Sequence, residues 1–592
     1  MAETSLLEPG RGAPMNPIDA MEAEATKATN STPEGIQNAL WKISQDKTLS
    51  TATEKHRAYC DEVLGWLHGR GSFFHLSACP DFNGGMYFDR ERRLLLRIRS
   101  DAFLAWLSDA LAMNRGERAF QLIQSAVETE SLTERSTGIE PSTYWASRPG
   151  AVYLSNGPGH AAKITADGVS LVDNGTDGIL FPAESVLPTW DSSAAIVNPF
   201  EACTLFRGMS TTAPHGKLLF ELWALSLPTN QQTKPPLCTT GVVGSGKTRA
   251  VVGLFELYGL PPRVAAVTKG GEGDFWTEAD AGGLTCWDNA DTRIDWLPDA
   301  LAAAATGGCQ SKRKLYSDAE RVTLRARSWV AVTSANPAFA ADAGLADRLM
   351  VVRLNRRAGG TAEAALSAEI AAARDGGLAW ICQTIHKALA DAEPVPGGLN
   401  QRHPDFAAFA VRLGRALGRE AEAVAALRAA EADKSLFNLE NDTIGAAVLE
   451  AMRSGTPFYG TSAELLERLK TNDSSLEGTL SAKRLSKRMG KLWPHLEAVL
   501  GAKQEIGHGG GLRYSLKPPS NGDNGDFQTA FSEKSAWKVN IETFAKTSIE
   551  SHQSHQTPPT MADSDAEENR LDTSSPPALS AGSSTSAMLA GI

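Results

Sequence analysis

Apolar positions along this chain switch between a helical and an alternating rhythm, and the switches divide it into segments. Between Ala58 and Trp106, CDEVLGWLHG is amphipathic at helical spacing, while SFFHL, GGMYFD and RRLLLRIR read as strands and DAFLAWLSDAL as a helix. A small α/β or α+β unit is expected over residues 36–135. From Ser142 to Trp190, the β-rich pieces AVYLSN, AAKITADGVSLVDN and GILFPA are punctuated by Gly and Asp turns, so residues 136–212 are expected to form a compact β-rich module. Over residues 213–358 apolar strands alternate with helices, the order of a parallel sheet covered by helices. Ala-rich helical segments follow over 359–440: TAEAALSAEIAAAR, LAWICQTIHKALA and, after the link AEPVPGGLNQRHP, one long helix from Asp405 to about Asp433. They read as a helical lid or small bundle. Residues 441–518 read helix, helix, helix, then two strands joined by GHGGG, the order of a winged helix. Residues 1–35 and 519–592 have little periodicity and are expected to be disordered.

Composition narrows the class. At 592 residues the chain exceeds what one hydrophobic core organises, and 42% hydrophobic with 21% charged residues is ordinary for soluble domains. No apolar run approaches the roughly 20 residues of a bilayer span, and no membrane partner is expected. The opening MAETSLLEPGRGAPMNPIDA lacks a basic region followed by an apolar core, so a cytoplasmic, nucleoid-associated protein is expected. The seven cysteines contain no CxxC pair and suggest neither zinc nor a disulfide framework. With a net charge of −11, any contact with nucleic acid must come from local basic patches.

The strongest chemical signal is GVVGSGKT, residues 241–248, between the strand end CTT and the helical RAVVGLFELYG. It matches GxxxxGK[ST] in the context that motif needs. Gly241, Gly244 and Gly246, with Ser245, would aim backbone N–H groups at phosphate oxygens at a helix N-terminus. Lys247 would reach the β and γ phosphates of ATP, and Thr248 would ligate Mg²⁺. The apolar run in GGLTCWDNAD ends in Asp288, which is assigned to Mg²⁺, directly or through water. Asn289 stands where a water-orienting glutamate is usual, with Asp291 or Glu272 as substitutes. A further strand, WVAVTSANPAF, ends in Ser334 and Asn336; Asn336 is a γ-phosphate sensor if that strand neighbours the loop strand, or else begins an Asn-Pro turn. In GLADRLMVVRLNRR, Arg348 either enters a neighbouring subunit's ATP site or pairs with Asp347.

Together GVVGSGKT, LTCWDNAD, LPDALAAAATGGCQSKRKLYSD, WVAVTSANPAF and LADRLMVVRL resemble the ATPase core of mobile-element and phage proteins related to poxvirus-type primase-helicases and superfamily 3 helicases. The resemblance covers roughly Leu218 to Arg357. It implies an AAA+-like sheet, a homo-oligomeric and usually hexameric ring, and DNA as substrate, with a primase or replication initiator as a further partner. Thr306, Gly307, Gly308, Lys312, Arg313 and Lys314 are similar to that family's DNA-contacting motif. There a glycine turn would project three cations toward phosphates; otherwise the loop is merely solvated. Near the C-terminus, Lys483, Arg484, Lys487, Arg488 and Lys491 recur on one helical face suited to a DNA groove, and Arg513 on the wing would add a phosphate contact.

The expectation is an ATP-dependent DNA helicase or translocase for replication of a phage, plasmid or integrated element. A slow nucleotide switch or loader, or a nucleotide-dependent interaction or defence protein, remains as the alternative.

Overall fold

A computed structural model describes residues 32–518, except 80–82, 230, 268–270, 314–320, 358, 454, 473–475, 477–479 and 507–511. Residues 1–31 and 519–592, expected to be disordered, lie outside the described residues, and a helix already begins at Pro33. Among the described residues, no helix is long and apolar enough to cross a membrane.

The first unit is a sheet in the order β3-β2-β1-β4, built from β1 (Gly71–Leu76), β2 (Gly85–Asp89), β3 (Leu94–Arg97) and β4 (Thr137–Ile139). Its helices, among them Ala52–Arg70 and Asp101–Leu111, bury Val63, Trp66, Leu67, Phe103 and Leu107 against Phe73 and Tyr87 of the sheet. Thr51 and Glu54 start the former with a reciprocal capping box, which satisfies two otherwise orphaned N–H groups. Because β4 runs parallel to β1, this sheet extends past residue 135.

The β-rich module is an antiparallel meander of β5 (Trp145–Arg148), β6 (Ala151–Ser155), β7 (His160–Thr165) and β8 (Gly168–Asp173). GILFPA adds no strand to it. Pro182 lacks an N–H to donate, and the segment instead touches β3 through a single Leu95–Pro182 bridge.

Next come β9 (Leu237–Thr240), β10 (Val264–Ala266), β11 (Leu284–Asp288), β12 (Cys309–Arg313), β13 (Arg321–Arg325), β14 (Trp329–Ser334) and β15 (Met350–Arg353). Five of these form one sheet in the order β10-β11-β14-β9-β15, with every pairing parallel. Its strands are apolar at consecutive positions because both faces are covered. Leu237, Cys286, Trp329 and Ala331 enter one core with Leu254 and Tyr258 of the helix Lys247–Tyr258. Cys238, Trp287, Val330 and Val332 enter the other with Phe275, Leu297 and Leu301. Strands β12 and β13 stand apart as an antiparallel hairpin.

Three helices follow, Glu363–Ala390, Pro404–Ala416 and Glu420–Asn441. The single helix expected from Asp405 to Asp433 is therefore broken. Gly418 lies between the last two at φ +70, a left-handed conformation that ends a helix and that glycine adopts without cost from a Cβ.

The C-terminal module runs helix Thr443–Arg453, β16 (Phe458–Thr461), helices Ser462–Asn472 and Ala482–Leu500, then β17 (Lys503–Ile506) and β18 (Leu512–Leu516). The strand β16, unanticipated from the sequence, joins the other two in an antiparallel sheet ordered β16-β18-β17.

Candidate functional site

The loop 241–246 connects β9 to the helix Lys247–Tyr258 at the C-terminal edge of the parallel sheet, where open α/β sheets bind ligands. Gly244 and Gly246 have φ of +81 and +83, and a Cβ at Gly241 would come within 2.2 Å of the Leu354 carbonyl oxygen. A side chain is thus excluded by contact at Gly241, and the left-handed backbone at Gly244 and Gly246 favours glycine there. The buried Ser245 hydroxyl has no partner among the described residues, and the exposed Val243 stands at the loop's tip. Lys247 Nζ folds back to donate to the carbonyls of Gly241 (2.8 Å) and Val242 (3.1 Å). Burial lowers the pKa of this ammonium, while Asp291 and Asp288 act in the opposite sense.

Asp288 ends β11, and β14 separates that strand from β9. The structure nevertheless joins the two expected metal ligands: Thr248 Oγ1 donates to Asp288 Oδ1 at 2.6 Å. Thr333 of β14, missed from the sequence, donates to the same oxygen through a short hydrogen bond. Its only signal was a hydroxyl near the end of an otherwise apolar strand. Among the described residues no cluster of three His, Cys, Asp or Glu side chains could cage a metal. One carboxylate beside one hydroxyl suits Mg²⁺, which keeps waters and takes its remaining oxygens from phosphates.

The residues around this pair occupy different roles from those the spacing suggested. Asn289 has φ +57, and its Nδ2 donates to Asp288 Oδ2 at 3.3 Å. Asn tolerates the left-handed region far better than most residues, so backbone geometry favours it where a glutamate was expected. Asp291 accepts from Ser334 Oγ (2.8 Å) and from the N–H groups of Ala335 (2.6 Å) and Asn336 (3.1 Å). All three bonds fall on Oδ1, through which Asp291 braces the loop after β14. Glu272 accepts from Gln310 Nε2 of the hairpin at 2.8 Å. Asn336 is exposed at the end of the strand next to β9, and its carbonyl also opens the Asn-Pro turn to Ala338.

Arg348 does not approach its own loop. Met350 pairs with Leu237 and Arg353 with Thr240, so Arg348 lies beyond the opposite end of β15, roughly 16 Å of extended chain from the strand's loop end. It donates to the Gly344 carbonyl, and its Nε is buried without a partner among the described residues. Asp347 faces Arg402 and Lys434, each at 3.8 Å, and no ion pair between Asp347 and Arg348 is formed.

The basic segments require corrections. Thr306, Gly307 and Gly308 end the helix Leu297–Ala305 and lead into β12. Alternation along that strand sends Lys312 and Arg313 to opposite faces. Lys312 Nζ donates to the Gly273 carbonyl at 2.6 Å, whereas Arg313 is exposed and lies directly opposite the exposed Arg321. Arg325, four residues further along β13, continues that face and stands 3.8 Å from Glu140. Arg321 and Arg325 carried no signal without the pairing register. Lys314 lies outside the described residues.

On the helix Ala482–Leu500, Lys483, Arg484, Lys487 and Lys491 are exposed. Arg488 is not part of that exposed face: Asp442, which is buried, accepts from its Nε (2.9 Å) and Nη2. Helical rotation of 100° per residue carries position 488 to the edge of the stripe formed by Leu485, Met489, Leu492 and Leu496. Arg513 also stands apart. Its neighbour Tyr514 hydrogen-bonds Ser486 at 3.0 Å on that helix, so Arg513 occupies the other sheet face, 5.6 Å over the exposed Tyr459 ring.

Residues 217–436 match the model of a family described as the actinomycete integrative conjugative element replication protein. Over this segment the chain is similar to replication proteins of a mobile element. No curated protein matches the sequence. A solved structure described as the apo A form of the NrS-1 C-terminal region aligns over 78% of this chain and 99% of its own, at 10% identity and a TM-score of 0.37.

Proposed function

We propose that the chain is an ATP-dependent DNA helicase or translocase serving replication of a mobile element. ATP and Mg²⁺ are its cofactors in this reading, DNA its substrate, and a homo-oligomeric ring, a hexamer, its working form. The observation that carries it is the Thr248–Asp288 contact beneath a glycine-rich loop that leaves no room for a side chain at Gly241. A hydroxyl from the helix that follows β9 and a carboxylate from the end of β11 meet where a metal–triphosphate would need them. The strand order, with β14 between β9 and β11, supports an AAA+-like core, and the element order of residues 443–516 supports a winged helix.

In this reading the loop N–H groups and Lys247 bind the phosphates, and Asn336 senses the terminal one. Mg²⁺ would neutralise charge developing between the phosphates. Since Arg348 lies far from its own loop, its guanidinium serves a neighbouring copy's site across the ring. Arg313 and Arg321 of the hairpin, with Lys483, Arg484, Lys487 and Lys491 of the C-terminal helix, grip DNA phosphates without reading sequence.

A slow nucleotide switch or loader is the second reading, and one observation favours it: the position after Asp288 holds Asn289, a neutral amide that cannot act as a base and whose Nδ2 donates to Asp288 Oδ2. ATP turnover measured with and without single-stranded and forked DNA separates the two. The helicase reading expects DNA-stimulated turnover and strand separation, both lost in Lys247→Ala. A protein that binds ATP and DNA but never unwinds is a switch.

A further inference from the structure

Two arginines leave β15 beside the phosphate loop, and they are held differently. The backbone carrying them is clamped from both sides. Leu354 N–H donates to the Thr240 carbonyl (2.7 Å) and Asn355 N–H to the Ser210 carbonyl (3.0 Å), while Thr212 Oγ1 donates to Asn355 Oδ1 (2.7 Å). The Leu354 carbonyl is also the atom that a Cβ at Gly241 would strike. Arg357 is half-buried and donates to the Thr204 carbonyl at 3.2 Å. Arg356 is exposed, no carboxylate among the described residues pairs with it, and its Nε lies 3.9 Å from where a Cβ on Gly244 would stand.

The flank matters. Thr248, Asp288 and Thr333 meet on the β14/β11 side of β9, whereas Arg356 comes from β15 on the other side. A terminal phosphate drawn to the Thr248–Asp288 pair turns the nucleoside end of the molecule toward β15. We propose that Arg356 is a ligand in cis for the α-phosphate, closing the loop from the flank opposite the metal pair. This rests on the loop binding a nucleotide, as argued above. A guanidinium on a clamped backbone presents a planar fork to phosphate oxygens, and an unpaired arginine gives up no competing carboxylate to do so.

The placement makes a distinctive demand, because the α-phosphate is common to ADP and ATP. Titration of the full chain with fluorescent ADP and with a non-hydrolysable fluorescent ATP analogue tests it. Arg356→Ala should weaken both about tenfold or more, in the same ratio, as expected for losing one charged hydrogen-bonding group. Arg356→Lys, which keeps the charge but not the fork, should fall between. Loss confined to the triphosphate would overturn the proposal by placing Arg356 on the terminal phosphate. Unchanged affinity for both, with both lost in Lys247→Ala, would also overturn it while leaving the loop as the nucleotide site. If Lys247→Ala is equally without effect, the loop itself is not the site and both readings fall.

Discussion

The glycine-rich loop after β9 and the basic surfaces place opposite demands on sequence. The loop is made of backbone: three glycines, a strand end and a helix start fix it, and its contacts lie within a few residues or on adjoining strands. Its geometry therefore survives translation from motif to structure. The basic surfaces are made of long side chains whose direction depends on pairing register and on what packs behind. Lys312 and Arg488 share the spacing of their neighbours yet turn inward, one to the Gly273 carbonyl and the other to Asp442. Spacing identifies where backbone goes; the destination of a charge requires the partner.

That contrast can be broken or sharpened by substitution. The largest effect is expected at the loop: Gly241→Ala, whose Cβ would be driven against the Leu354 carbonyl, should abolish nucleotide binding in a direct titration, and retained binding would show the cradle to be more plastic than drawn. Next is Arg353, whose guanidinium donates to Asp433 (Nη2, 3.1 Å) and Glu440 (Nη1, 2.8 Å) and lies 5.0 Å over the Phe437 ring. Burial opposes its charge, but Asp433 and Glu440 together raise its pKa. Arg353→Met removes the guanidinium from which both carboxylates accept and should cost about 3–5 kcal/mol in chemical denaturation.

Smaller effects distinguish inward from outward cations. Arg488→Ala should destabilise the C-terminal module by about 1–3 kcal/mol with little change in the salt dependence of DNA binding. The double variant Arg313→Glu and Arg321→Glu should do the reverse, lowering the slope of log affinity against log salt by about 2. If Lys312→Glu matches that double variant, the hairpin face is wrongly drawn. The last effect concerns pH and appears only on acidification. Burial lowers the pKa of His403 to about 4, below its ordinary 6.5. The unfolded chain therefore binds the extra proton between those values, and stability present above pH 6.5 is lost as pH falls toward 4, on the order of 3 kcal/mol. His403→Gln should flatten the melting temperature over that window; an unchanged slope would assign it to other groups.

Much of the fold was legible because its strands are written as apolar runs: SFFHL, AVYLSN, LTCWD and WVAVTS all appear where expected. What was not legible has identifiable causes. The break at Gly418 hides inside an Ala-rich pattern that favours helix on either side. The strand Phe458–Thr461 is only four residues long and exists through its pairing with β18. In the site, Thr333 and Arg356 could not be found from spacing, since each acquires its place from an element distant in sequence, and Arg321 needed the hairpin register that sets it opposite Arg313. Asn289 reads as a missing glutamate until its left-handed backbone is known.

The helix Glu420–Asn441, about 33 Å long at 1.5 Å per residue, ends in an unusual concentration of grips. Asp433 and Glu440 hold the edge strand next to the loop strand. Ser435 Oγ lies 3.2 Å from His495 Nδ1, and Asp442, just past the helix end, holds Arg488. All of these anchors fall within ten consecutive positions, too short a stretch of hydrogen-bonded backbone to twist or bend between them. The sheet edge and the C-terminal helix are therefore geared to one shaft, and a tilt imposed at either end reaches the other without slack.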